Sequence, residues 1–454
     1  MAHLHRKPGW TPRRVATVVA ATALAVAPAA LAHDPGYVIY DLGTLGGAES
    51  IAWNINEDGH VVGAAQNAAG EWRACIWVDG APFDLGTLGG PTSRAYGINS
   101  ARQVVGEADM ADGTSSYATG WDPDRGTFNL GALGGTRSIA WEVTDDAEVV
   151  GEAENSTGET RAFLRVGSNM TDLGLLPGHA HSGAYARSSN GFTVGWSEDA
   201  AGDRSAVYWD RNLALVELDD LDGPFAEARA MNREGIACGY AESGEGEMTA
   251  LSWDNGVMIA LGGFPTGGDS FAYDLNVVPE FIGEAYLVAA DEMQAVLWKN
   301  DRITNLNTLL PPGSSWDTLL SAHAINNAGQ IVGVGRNSNG ERHAYLLDPK
   351  LGLANPIPGE AGELNLIDAA GATPGARVHI VYGFEYGSTA VPGCPGVNLD
   401  IARPTRLASL TADETGHAII EVFVPQAARL RTTLLQAIEE GSCEKSVITI
   451  WTWM

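Results

Sequence analysis

Three glutamates occupy the same register of a recurring segment and could do chemistry together. Glu107, Glu152 and Glu284 follow the glycine of "VVGEAD", "VVGEAE" and "FIGEAY". Two carboxylates across a cleft can act as general acid and base, and a group of them can hold a cation or sugar hydroxyls. Other copies of the segment carry no acid here and have instead Ala64, Trp196, Tyr240 and Val334. Solvated strand ends are the default interpretation of these residues, and a ligand face formed by the three glutamates is the functional alternative.

Metal and catalytic motifs have less support. His179 and His181 are two positions apart and could chelate a metal, but no third ligand has a fixed relation to them. The calcium-like stretch "ELDDLDGP" (Glu217–Pro224) has Leu218 where the first ligand belongs and Arg229 where a closing glutamate belongs. The sequence has no G-x-S-x-G, phosphate-loop or H-E-x-x-H motif. We therefore assign no catalytic, cofactor or metal residues, leave calcium as an open alternative, and favour a protein that is not an enzyme.

Aromatic residues recur beside a small alanine in segments such as "SIAWNIN", "SRAYGIN" and "SFAYDLN". The series contains Trp53, Tyr96, Trp141, Tyr185 and Tyr273, and it is interrupted by Arg229 and His323. Such a series could form a ring on which sugars stack, or it could pack one repeat against the next. The neighbouring alanines favour packing.

All these residues belong to a repeat that covers most of the chain. The heptapeptide "DLGTLGG" at Asp41–Gly47 recurs at Asp84–Gly90, 43 positions later. The glycine of the "VVG" segment recurs at Gly63, Gly106, Gly151, Gly195, Gly239, Gly283 and Gly333. All but the last step are 43 to 45 residues, so the chain holds seven copies of one unit.

Each unit reads as four short strands rich in Val, Ile and aromatic residues, separated by turns such as "NEDG", "STGE" and "VDG". Four antiparallel strands in about 40–45 residues are typical of a propeller blade. A fourth-type strand, "YVIYDLG", precedes the first unit, and the seventh unit lacks one. We predict an all-β chain whose residues 37–358 form a seven-bladed β-propeller of four-stranded blades, closed by the N-terminal strand. A linear solenoid is the alternative.

The pattern "DLGTLGG…S.A..IN..G.VVG…G..RAFLW" resembles that of the HAF family of probable extracellular repeat proteins. The resemblance covers Tyr37 to Pro349, and it implies export and a propeller-like repeat domain but no defined activity. The fifth and sixth copies depart from the pattern, in "FAEARAMNREGIACG" and "NVVPEFIGE".

The last ninety residues differ from the repeats. We predict a linker at 359–365 and an immunoglobulin-like β-sandwich at 366–454, because alternating strands are divided there by Gly, Pro and Asp turns. The "GATPGARV" start and the "VPGC…SC" pair resemble a small module at the ends of secreted bacterial proteins. A bridge between Cys394 and Cys443 would close a 49-residue loop, contributing roughly 3–4 kcal/mol on a chain-entropy estimate. Cys75 and Cys238 are expected to be buried small side chains.

The first 32 residues have the features of a secretory signal peptide: basic residues, an apolar run and an "ALA" cleavage site. The Arg13–Arg14 pair leaves both the general and the twin-arginine export routes open. Because this segment has four basic and no acidic side chains, the remainder holds 56 acidic and 23 basic residues. That excess disfavours nucleic acid and anionic membranes as partners. No later apolar run approaches the ~18 residues of a membrane span.

We therefore expect a secreted, cell-surface or periplasmic protein that acts as a binding or scaffolding module for an extracellular glycan or protein. An extracellular polysaccharide hydrolase or lyase that uses carboxylates at one face is the first alternative. A structural envelope component is the second.

Overall fold

The computed structural model describes residues 36–311, 313–353, 356–446 and 448–454, which are built from strands and two short 3-10 helices, Leu306–Leu309 and Gln426–Ala428. The chain is all-β over these ranges, as predicted. The expected signal peptide at 1–32 lies outside the described residues. Within them, no helix has the length and apolar character that a membrane crossing requires.

The repeat region contains 28 strands over the described residues. The strands of the first repeats are β1 (Tyr37–Asp41), β2 (Gly46–Ile55), β3 (Val61–Asn67), β4 (Trp72–Val78), β5 (Ala81–Asp84), β6 (Gly89–Ile98), β7 (Val104–Met110), β8 (Ser116–Asp122), β9 (Gly126–Gly131), β10 (Gly134–Val143), β11 (Val149–Asn155), β12 (Thr160–Val166) and β13 (Asn169–Asp172). The strands of the later repeats are β14 (His179–Arg187), β15 (Thr193–Asp199), β16 (Arg204–Trp209), β17 (Leu215–Glu217), β18 (Asp222–Met231), β19 (Ile236–Ser243), β20 (Met248–Asp254), β21 (Val257–Ala260), β22 (Ser270–Leu275), β23 (Phe281–Leu287), β24 (Glu292–Lys299), β25 (Arg302–Asn305), β26 (Trp316–Ile325), β27 (Ile331–Asn337) and β28 (Arg342–Pro349).

Strands β2 to β25 pair in consecutive groups of four, each an antiparallel meander. Single parallel bridges join the second group to the third and the fourth to the fifth. Strands β26, β27 and β28 form the next sheet, and the N-terminal strand β1 completes it by pairing with β28, as the sequence predicts. The first strand of each group contacts the first strand of the next, and β26 contacts β2. The first strands therefore surround a common axis.

Residues of the recurring sequence motifs are joined in one cluster of hydrogen bonds. Between the first and second repeats, the backbone N–H of Ala74 donates to Ser93 Oγ at 2.9 Å, and the Ala74 carbonyl accepts from the backbone N–H of Leu85 at 2.9 Å. Ser93 Oγ donates to the Gly86 carbonyl at 2.8 Å, while Asp84 Oδ1 accepts the Gly86 N–H at 2.8 Å. The "S.A", "RAC" and "DLG" pieces therefore recur together because each one supplies a partner for the others.

The same cluster joins the last repeat to the first. The backbone N–H of Ala344 donates to Ser50 Oγ at 2.9 Å, and its carbonyl accepts from Leu42 at 3.0 Å. Asn326 Nδ2 donates to the Asn56 carbonyl at 3.1 Å, as Asn56 does to the Asn99 carbonyl at 3.0 Å. Contacts between the chain-distant ends are thus of the kind found between neighbouring repeats.

The C-terminal unit has its own sheets. Its strands are β29 (Gly352–Leu353), β30 (Leu364–Ala370), β31 (Arg377–Gly383), β32 (Tyr386–Ala390), β33 (Asn398–Ile401), β34 (Thr405–Thr411), β35 (Ala418–Phe423), β36 (Thr432–Glu439) and β37 (Thr449–Thr452). They form the sheets β29-β30-β35 and β34-β31-β36-β37 and a separate β32-β33 hairpin. The first two sheets share one core that includes Ile367, Val378, Ile380 and Leu435. A disulfide joins Cys394 to Cys443, as predicted, while Cys75 and Cys238 are free and buried.

The C-terminal unit begins earlier than the sequence predicts. Leu351 and Leu353 are buried in its core, and β29 pairs with β30. The expected linker at 359–365 is a folded turn, in which the buried Asn365 side chain accepts the backbone N–H groups of Gly359 and Glu360. The Gly- and Glu-rich composition is typical of a linker. Composition alone does not reveal that one asparagine satisfies the backbone of the turn by hydrogen bonds.

Candidate functional site

A cavity of about 620 Å³ opens on the axis that the first strands surround. It is lined by the C-terminal ends of all seven first strands of the repeats and by several of the turns that follow them. Because one strand of each repeat contributes, differences between the repeats make the lining chemically uneven. This cavity is the best candidate for a binding site.

The cavity is lined by the aromatic series of the repeats together with its two exceptions. We call this set the aromatic floor, and its members are Trp53, Tyr96, Trp141, Tyr185, Arg229, Tyr273 and His323. Consecutive rings touch, with centroids 4.8 Å apart for Trp53–Tyr96, 4.5 Å for Tyr96–Trp141 and 5.7 Å for Trp141–Tyr185. The expectation that the series only packs between repeats was therefore incomplete, because these partly buried side chains also line the cavity.

The fifth and seventh repeats close the floor differently. The guanidinium of Arg229 lies 3.8 Å from the Tyr185 ring centroid and 5.9 Å from that of Tyr273. His323 packs near Tyr273, and its Nδ1 lies 2.7 Å from the Ala52 carbonyl oxygen of the first repeat. Burial lowers the pKa of His323 to about 4. The imidazole is therefore neutral at physiological pH.

The three glutamates predicted as a ligand face do not line this cavity. Tyr96 Oη donates to Glu107 Oε1 and Tyr273 Oη to Glu284 Oε1, both at 2.9 Å, so these two carboxylates hold hydroxyls of the aromatic floor although they are not part of the cavity lining. Burial raises the pKa of Glu152 to about 7. Direct contact of the three with a ligand stays a prediction.

A fourth glutamate, Glu227, also accepts a hydrogen bond from a hydroxyl of the aromatic floor. It lies on a first strand, accepts from Tyr185 Oη at 3.1 Å and Tyr240 Oη at 2.8 Å, and forms an ion pair with Arg204. Sequence reasoning missed it because it does not follow the repeated glycine.

Two other carboxylates do line the cavity, Glu142 and Asp274. Each follows the aromatic residue of its repeat and accepts a backbone N–H from the next one, Arg187 N at 2.6 Å and Ile325 N at 2.9 Å. Burial, with a contribution from the charge of Asp274, raises the pKa of Glu142 to about 8, and burial raises that of Asp274 to about 7. The signal was present in "AWEV" and "AYDL", where an acid stands at a register that other repeats fill with Asn, Gly or Ala.

The rim of the cavity is acidic but largely hydrogen-bonded. Glu148 forms an ion pair with Arg187 at 2.6 Å. Asp145 Oδ1 accepts from the backbone and hydroxyl of Ser100, and Glu57 accepts from the backbone and side chain of Asn327. The rim carboxylates therefore also link successive repeats.

The metal candidates do not assemble in the described part of the chain. No group of three or more His, Cys, Asp or Glu side chains there could hold a metal ion. His181 Nδ1 accepts the backbone N–H of Thr160 at 3.1 Å, and Asp220 caps the N–H of Asp222 at 2.9 Å.

We expect Glu142→Gln to stabilise the protein at alkaline pH. Since the folded-state pKa of about 8 lies above the unfolded value of 4.5, the stability linked to Glu142 is fully present below pH 4.5 and is lost as pH rises through 8. Glutamine keeps an acceptor for Arg187 N without a charge. At pH 9 the variant should unfold at a higher temperature than the parent, because its free energy of unfolding is larger by about 1–2 kcal/mol after solvent screening. At pH 5 the unfolding temperature of the variant should not exceed that of the parent. Calorimetry at both pH values measures this. Glu245→Gln, in an exposed turn, is the control, and an equal effect at both pH values would contradict the expectation.

No protein-family model matches the chain, and a search of curated proteins finds no relative. Among solved structures, it is similar to TolB from Acinetobacter baumannii, with 12% identity, a TM-score of 0.38, and coverage of 55% of this chain and 62% of TolB. It is also similar to the Aleuria aurantia lectin, which is described as a six-bladed β-propeller with fucose recognition. The identity is 14% and the TM-score 0.35, and the match covers 60% of this chain and 100% of the lectin. A third similar structure is a gluconolactonase from Xanthomonas campestris, with 13% identity, a TM-score of 0.34, and coverage of 71% of this chain and 98% of the gluconolactonase. The chain thus spans less than two thirds of TolB.

Proposed function

We propose that this protein is a secreted seven-bladed β-propeller with a C-terminal β-sandwich, and that its central cavity binds an extracellular glycan. The observation that carries the proposal is the aromatic floor, in which every repeat contributes one side chain to a single cavity. The seven meanders correspond to the blades, and β1 provides the outer strand of the last one.

The chemistry of the lining suits a sugar. Pyranose rings have apolar C–H faces that pack on aromatic rings, and their hydroxyls need hydrogen-bond partners. Among the other lining residues, Glu142 and Asp274 can donate or accept hydrogen bonds, depending on protonation. The cavity is within the size range of small-molecule sites, so a short oligosaccharide or a chain end is the expected occupant.

The experiment is a glycan-array screen of the purified protein, with and without calcium, that records binding and release of new reducing ends together. We expect saturable binding without release, weakened about tenfold by Trp141→Ala because a stacking surface is lost. Phe83→Ala, at an exposed aromatic residue outside the cavity, is the matched control. Absence of binding to every glycan would refute the proposal and direct attention to protein partners or a structural role.

A polysaccharide hydrolase or lyase is the second candidate, and one observation favours it. Glu142 and Asp274 line the same cavity with pKa values of about 8 and 7, so one can be protonated while the other is ionised near neutral pH. Release of reducing ends that Glu142→Gln abolishes would establish this function in place of simple binding.

A further inference from the structure

Arg229 stands where most other repeats place an aromatic residue. Its side chain lines the cavity and is 27% exposed, while its guanidinium plane packs on Tyr185. A floor made only for stacking would not require a cation at this register. The substitution therefore gives the cavity one chemically distinct position.

The guanidinium of Arg229 has few partners. Of its five N–H donors, one makes a hydrogen bond within the described structure, from Nη1 to Glu227 Oε2 at the long distance of 3.5 Å. Glu227 is held more closely by Arg204 and by the hydroxyls of Tyr185 and Tyr240. The remaining donors of Arg229 are therefore available toward the cavity.

The carboxylates of the cavity do not take up these donors. Glu142 and Asp274 accept the backbone N–H groups of Arg187 and Ile325. At the rim, Glu148 is paired with Arg187. A ligand oxygen is thus the natural partner for Arg229, and the planar fork of a guanidinium matches a carboxylate in two parallel hydrogen bonds.

We propose that Arg229 binds the carboxylate of an acidic saccharide, so that the cavity selects uronate-containing oligosaccharides over neutral ones. This inference rests on the proposed glycan-binding function. The sugar ring that carries the carboxylate lies beside Arg229 and packs on Trp141, since the Arg229 guanidinium already covers Tyr185. The formal charge of −29 repels an acidic sugar at long range, so added salt should not weaken binding as it would on a basic surface.

The test is titration calorimetry of the full protein with trigalacturonate and with its methyl ester, which keeps the sugar but lacks the charge. We expect the acid to bind about tenfold more tightly than the ester. Arg229→Gln should lower the affinity for the acid to that for the ester, and Arg229→Lys should restore only part of the difference, because it keeps the charge without the fork. Arg125→Gln, at an exposed arginine outside the cavity, is the control.

The outcomes separate the inference from the function it rests on. Equal affinity of the parent protein for acid and ester, or binding of neutral glycans alone, would overturn the inference and leave glycan binding intact. Failure of every glycan on the array would refute both. If Arg229→Gln does not fold, as judged by near-UV circular dichroism, the comparison of acid with ester on the parent protein decides.

Discussion

Replacing Gly239 with alanine is expected to lower the free energy of unfolding by about 3 kcal/mol, the largest effect we predict for a single methyl group. Gly239 lies on β19 directly opposite Ala228 of the first strand β18. A Cβ atom at Gly239 would overlap the backbone carbonyl oxygen of Glu227 and lie 3.0 Å from Ala228 Cα. These contacting atoms belong to the backbone of β18, which cannot move aside by changing a rotamer, so β18 and β19 must separate.

The same close approach occurs in every repeat. An added Cβ would meet the carbonyl of the facing first strand at Gly63, Gly106, Gly151, Gly195, Gly239, Gly283 and Gly333. This steric requirement explains why the glycine of "VVG" is the most regular anchor of the repeat. Separation of β18 and β19 would also displace Arg229, so glycan binding should weaken together with stability.

Gly244→Ala, in the same repeat, is the matched control. A Cβ at Gly244 meets no atom within 4 Å, and its φ lies outside the left-handed region, so stability should change by less than about 0.5 kcal/mol. Urea unfolding of both variants measures the difference. A Gly239→Ala protein with the stability of the parent would show that the strands can separate at little cost, contrary to the close packing seen here.

Removal of the N-terminal strand is the second change with a large expected effect. A chain that starts at Leu42 loses the pairing of β1 with β28, the hydrogen bond between Lys350 N and the Gly36 carbonyl, and the buried Tyr37 ring. We expect the unfolding temperature to fall by about 10 °C, and the exposed edge of β28 to cause concentration-dependent association. Scanning calorimetry and light scattering at several protein concentrations measure these effects.

A peptide covering residues 36–41 should bind the truncated chain by strand addition and restore part of the stability. Tyr40→Ser in the complete chain is the control, because Tyr40 is 46% exposed on the same strand. An unfolding temperature unchanged by truncation would show that the contacts of Ser50, Ala344 and Asn326 hold the two ends together without β1.

Much of the architecture could be predicted from short-range patterns. The turn residues, the strand lengths and the "DLG" and "S.A" pieces act over a few residues or between neighbouring repeats, so their period is visible in the sequence. The pairing of β1 with β28 followed from a spare strand at one end and a missing one at the other. The Cys394–Cys443 disulfide was accessible because both cysteines fall in one small unit.

The candidate site depended on information of another kind. Alternation along a strand does not say whether Trp53 or Tyr96 faces a neighbouring repeat or the axis, because the tilt of each sheet is set only when the strands are assembled in three dimensions. For the same reason the glutamates chosen by register, Glu107 and Glu284, are not part of the cavity lining and accept hydrogen bonds from tyrosines of the floor, while Glu142 and Asp274 line the cavity. The sequence by itself determined the repeat, its strands and its closure, since these arise from local hydrogen bonds and turns. Only the tertiary structure decided which side chains share the cavity, since that depends on the packing of all the repeats about one axis.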